Sequence, residues 1–181
     1  MQRFFQYTTA AFISIILLLT SAFAQAWQAP AVPSTGHMMP LSDVAYIPDS
    51  EAKHKVLIHV TGSPQAADAM HPALAYVART VNLYAGAKVP KENLDIVVVL
   101  AGAATPVAIN NARYKKEFGA NNPNLKVLSE LHDYGVEIVA CGQALEGMEM
   151  RDDVHSSVTV SLSALTSVLE LQRAGYALLQ L

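Results

Sequence analysis

The stretch Leu94-Asp95-Ile96-Val97-Val98-Val99-Leu100-Ala101-Gly102 constrains the fold more than any other. Ile96 to Leu100 are all large and aliphatic, so a strand built from them has no face to offer to water. Strands covered on both faces belong to parallel sheets, whose crossover helices lie above and below. Two further β-favouring runs read as strands, Lys55-Val56-Leu57-Ile58-His59-Val60 and Val136-Glu137-Ile138-Val139-Ala140. The spacing between the three leaves room for helical crossovers rather than hairpins.

The intervening segments read as helices. Met70, Leu74, Val77, Val81 and Tyr84 recur at alternating steps of four and three, which sets them on one helical face. Pro72 is tolerated there only near the first turn, and Gly86 suits a C-terminal stop. A shorter, partly exposed helix is predicted within Val107 to Gly119. Asn122 can cap a third helix, with Pro123 in its first position and Gly135 at its end. A short strand Val158-Thr159-Val160-Ser161-Leu162, a helix over Ala164 to Gly175 and a last strand from Tyr176 to Leu181 complete the order β, α, β, α, α, β, loop, β, α, β. This alternation predicts an α/β sandwich with a mainly parallel sheet of about five strands and helices on both faces.

The N-terminal part is of another kind. Arg3 precedes an apolar stretch from Ala10 to Leu19, and small-x-small sites follow at Ala22-Phe23-Ala24 and Ala24-Gln25-Ala26. This is the layout of a secretory signal peptide, expected to span residues 1–24 with cleavage after Ala24 or Ala26. The apolar stretch is short for a bilayer span, and no basic stop-transfer cluster follows it. No stable membrane insertion is therefore expected after cleavage, and a bacterial periplasm is the expected compartment. Residues 25–53 contain Pro30, Pro33, Pro40 and Pro48 and read as an extended arm separable from a domain over residues 54–181. A formal net charge of −3 without a Lys/Arg-rich run argues against a nucleic-acid surface.

Cys141 is the single cysteine of the chain. It follows an apolar strand and precedes Gly142. In parallel α/β sheets ligand sites gather beyond the C-terminal strand ends. Three loops meet that condition: Thr61-Gly62-Ser63, Ala101 to Thr105, and Cys141-Gly142-Gln143. A thiol there is either a packed small hydrophobe or a reactive thiolate favoured by the helix start that Ala144 can open. His59 and His155 are candidate cations or bases for it, although a structural histidine explains each as well. Met148, Met150, His37-Met38-Met39 and Met70-His71 supply soft ligands suited to Cu(I). No CxxC, HExxH, GxGxxG, P-loop or GxSxG motif occurs, so no metal site and no cofactor is expected.

The segments Asn122-Pro123-Asn124-Leu125 through Gly142-Gln143-Ala144-Leu145, and Val158 through Leu179, resemble the DsrE/DsrF-like family, in particular its secreted single-domain branch. The resemblance covers about residues 55–181. It implies a three-layer α/β/α sandwich and a homo-oligomer, commonly a trimer or hexamer. It also implies a persulfide carrier or sulfurtransferase-like function at Cys141, with a sulfur donor or acceptor protein as partner. Gly142, Gln143, Thr61 and Gly62 are the candidate binding residues. The alternatives are a non-catalytic module for a small ligand or Cu(I), and a purely structural homo-oligomer.

The leader reading makes a direct prediction. N-terminal sequencing of the chain recovered from the cell envelope should begin at Gln25 or Trp27; an intact Met1 chain in the membrane would refute cleavage.

Overall fold

The computed structural model describes residues 26–181; the expected signal peptide lies outside them. Five strands form one sheet: β1 (His54–Val60), β2 (Leu94–Leu100), β3 (Glu137–Cys141), β4 (Thr159–Ser161) and β5 (Ala177–Gln180). Their order is β4-β3-β2-β1-β5, and every neighbouring pair is parallel. Five helices connect them: α1 (Pro72–Gly86), α2 (Asn111–Phe118), α3 (Leu125–Tyr134), α4 (Gly142–Gly147) and α5 (Ala164–Arg173). The predicted order of elements holds. The differences are the short α4, which fills part of the predicted loop, and a 3-10 segment at Gly102–Ala108 after β2.

Side-chain alternation divides the sheet into two unequal faces. Val56, Ile58 and Val60 of β1, Ile96, Val98 and Leu100 of β2, and Ile138 and Ala140 of β3 form the larger core. Leu74, Val77 and Val81 of α1, Leu128 and Leu131 of α3, and Leu145 of α4 cover it. The opposite face carries Leu57, Val97, Val99, Val139 and Cys141. Among the described residues its helical cover is α5, which lies over β1 and β2 and buries Ala164, with Val168 and Leu171 packed behind it. The continuous apolar run of β2 is thus explained: it is central and covered on both sides.

Helix α1 starts where Pro72 allows. His71 is its N-cap, and Nδ1 accepts from the Ala73 N–H at 3.2 Å. Nε2 therefore carries the proton and donates to the Gly62 carbonyl at 2.7 Å. Helix α3 begins at Leu125, two residues after the expected Pro123. Asn122 does not cap it: its amide donates to the Val107 and Ile109 carbonyls at 3.0 and 2.7 Å, and its oxygen accepts from the Asn124 backbone and side chain. Burial of these loops makes such side-chain donors necessary, because a buried carbonyl left without a hydrogen-bond partner is costly. Gly135 ends α3 in the left-handed conformation, as expected.

The proline-rich arm is not a loose extension. Val32 is fully buried and Met38 nearly so, and Gln28 pairs with Met38 in an antiparallel bridge. The anchor is Asn82, buried on α1. Its Oδ1 accepts from the Ala31 and Val32 N–H groups at 2.8 and 2.9 Å, and its amide donates to the carbonyls of Val32, Thr35 and Gly36. Gly36 has φ +68°, and a Cβ there would lie 2.3 Å from the Arg79 nitrogen, so the arm touches the helix backbone itself. Proline spacing gave no hint of this contact, because the clamp is a single polar side chain on a distant helix.

Asn82→Ala should leave buried amide and carbonyl groups without partners, a loss of at least about 2 kcal/mol. For a chain of this size the midpoint of thermal unfolding should fall by roughly 4–8 °C, measured by calorimetry. An unchanged midpoint would show the arm to be dispensable.

Candidate functional site

Strand β3 ends at Cys141, on the sheet face that α5 covers. The thiol is 8 % exposed. Two helix starts meet at its sulfur. The Ala164 N–H, first residue of α5, donates to Cys141 Sγ at 3.3 Å. The Gln143 and Ala144 N–H groups at the start of α4 and the Ser163 hydroxyl lie close by and also favour its anion. Ser163 is at the same time the N-cap of α5, accepting from the Leu165 N–H at 3.2 Å.

Burial pushes the thiol pKa up, but the donors from Ala164, Ala144, Ser163 and Gln143 outweigh it, and the net shift is downward. The four donors all favour the anion, and three are backbone groups held by helix geometry. No cationic side chain contributes to this downward shift.

Gly142 makes the convergence possible. The register pairs Cys141 with Ser161 at the end of β4. A Cβ on Gly142 would stand 2.3 Å from the Ser161 carbonyl oxygen and 3.4 Å from that of Leu162. Both contacts are to backbone, so a larger residue would force β4 and the start of α5 away from Cys141. The glycine is here a spacing requirement between two chain segments, not a turn requirement.

The other residues singled out from the sequence are dispersed. Gln143 contributes its backbone N–H, and its side chain is exposed. Thr61 and Gly62 follow β1, two strands from β3 in the sheet order, which is about 10 Å at the usual strand spacing. Gly62 is held there by His71. His59 is likewise on β1, with Nδ1 2.8 Å from Gln180 Oε1 on β5. His155 pairs with the Ser157 hydroxyl at 2.8 Å. Neither imidazole is among the partners of the sulfur. Met150 is buried on the opposite face of the sheet, and Met38 packs against Gly86. Among the described residues no three His, Cys, Asp or Glu side chains gather into a metal-holding group.

Ser163 and Ala164 were not singled out from the sequence. The signal was nonetheless present: a serine directly before an amphipathic helix marks an N-cap, and parallel pairing of consecutive strands brings that cap beside the end of β3. An open groove of about 270 Å³ runs along the same sheet face, lined by Val139, Thr159 and Ser161 on the strands and by Ser167, Glu170 and Leu171 on α5. An apolar pocket of about 340 Å³ lies elsewhere, between the arm and α1, and is not connected with the thiol.

The DsrE/DsrF-like family model matches residues 54–181. The chain belongs to this family. Its fold is similar to that of a protein of unknown function, MTH1491, from Methanobacterium thermoautotrophicum, with a TM-score of 0.52, 22 % identity, and coverage of 71 % of this chain and 100 % of that one. It is also similar to the ychN protein from E. coli, with a TM-score of 0.50, 15 % identity, and coverage of 71 % and 99 %. No curated protein matches the sequence.

Gly142→Ala should separate α5 from the sulfur. Its alkylation by iodoacetamide, followed against pH, should then show a midpoint shifted upward toward the ordinary thiol value of about 8.5, whereas the unaltered protein reacts with a midpoint below that value. Equal midpoints would mean that the close approach at Gly142 does not control the thiolate.

Proposed function

We propose that this DsrE/DsrF-like chain handles sulfur in the periplasm, carrying it as a persulfide on Cys141. The observation that supports the reading is the set of four donors around Sγ, which favours the nucleophilic form of a thiol at the rim of the sheet.

In the first step the Cys141 thiolate attacks the outer sulfur of a sulfane donor. A new S–S bond forms to Cys141, the donor's own S–S bond breaks, and its electron pair leaves with the donor thiolate. Cys141 is then a persulfide. In the second step an acceptor thiolate attacks the terminal sulfur, and the Cys141 S–S bond breaks. The sulfur leaves with the acceptor, and the pair of electrons returns to Cys141 as thiolate. Neither step needs an external oxidant or reductant. The donors at Gln143, Ala144, Ser163 and Ala164 offset the charge on Cys141 before the first step and after the second. Backbone N–H groups suit this role because they are fixed in place before the charge appears.

Incubation with a low-molecular-weight polysulfide should add the mass of one sulfur atom, removable by a thiol reductant. Cys141→Ser should abolish the gain while its thermal transition stays cooperative. If Cys141 of the folded protein neither accepts sulfur nor reacts with iodoacetamide until denatured, the carrier reading fails. Titration of both proteins with Cu(I) then separates a soft-metal module from a structural oligomer.

A further inference from the structure

The two edges of the sheet are built differently. Strand β4 has three residues, two of them Thr159 and Ser161. A short polar edge of this kind resists pairing with another strand. The opposite edge, β5, has the sequence Ala177-Leu178-Leu179-Gln180, and all four residues are exposed. It holds no charge, no proline and no bulge, the devices by which an edge strand is normally protected. Leu178 is 42 % and Leu179 38 % exposed.

The backbone of β5 alternates in direction. Leu181 turns both polar groups to β1, its N–H donating to the His59 carbonyl at 2.9 Å and its carbonyl accepting from the Thr61 N–H at 3.4 Å. By the alternation of a strand, Ala177 and Leu179 face β1 as well, and Leu178 and Gln180 direct their N–H and C=O groups outward. No partner meets these outward groups among the described residues.

We propose that β5 pairs with β5 of a second copy of this chain, antiparallel, across a two-fold axis at Leu179. A second copy of the same edge satisfies both outward residues at once. The two outward-facing residues lie symmetrically about Leu179, so antiparallel self-pairing sets Leu178 opposite Gln180 of the other copy and Gln180 opposite its Leu178. Both become hydrogen-bonded pairs that exchange N–H and C=O. Leu179 meets its own equivalent in the non-hydrogen-bonded position, where side chains come closest. No ionisable side chain stands on the strand, so no side-chain charges oppose each other across the pairing. The contact is isologous and closes on itself. It is independent of the chemistry of Cys141.

The test is the mass of the purified protein by light scattering at micromolar concentration, for the unaltered chain, Leu178→Pro and Leu178→Lys. Leu178→Pro removes an outward N–H and spares the bonds to β1; Leu178→Lys places a charge at a position that is already partly exposed. The unaltered chain should be an even-numbered assembly, a dimer or a hexamer. At least one variant, folded by circular dichroism, should have half that mass or less. A monomeric or trimeric unaltered chain overturns the proposal, a monomer leaving the edge to a strand of another protein. Retention of the full mass by both folded variants also overturns it, because the interface then lies elsewhere.

Discussion

Parallel pairing is the constraint from which the rest of this structure follows. Because all five strands run the same way, every strand ends at one rim, and the loops that follow β1, β2, β3 and β4 meet there. Position along the rim then depends on strand order, and the face depends on residue parity. Cys141 is the last residue of β3 and has the parity of Val139, so it turns to the side of α5. One residue earlier, Ala140 joins the larger core on the other face. A single-residue slip in register would therefore exchange a sulfur at the start of α5 for one buried under α1 and α3.

The cover on the two faces differs, and the site uses that difference. The larger core is closed by several helices and by the arm. The smaller one is roofed by α5 over β1 and β2, leaving an open groove toward β3 and β4. The thiol sits where the roof begins. It is shielded enough for a backbone donor to act at short range in a weakly screened environment, and its register partner Ser161 lines the groove.

Much of this was legible in the sequence, for physical reasons that differ by element. The central strand β2 was readable because full burial demands an unbroken apolar run. Helix α1 was readable from its stripe and from Pro72. Cys141 could be placed at a strand end beside a glycine. Its donors were less accessible, because Ser163 and Ala164 lie more than twenty residues further on and reach the sulfur only through the β3–β4 register. Sequence spacing contains no such contact. The same holds for Asn122, read as a cap but used to tie two loops, and for the arm, whose prolines suggested independence while one amide on α1 holds it. In each case a polar side chain or backbone group acts across the fold, and hydrophobic periodicity is blind to it.

The Asn82 clamp has a consequence for the order of folding. The arm's buried hydrogen bonds close a loop of 50 residues between Val32 and Asn82. The entropic part of such a closure that depends on length is about 3.5 kcal/mol. The arm has no comparable local partner to offset that cost earlier. Docking must therefore wait until α1 is formed and seated on β1 and β2, so that the five hydrogen bonds of Asn82 are gained together. Residues 26–38 therefore gain this anchor only with α1 in place.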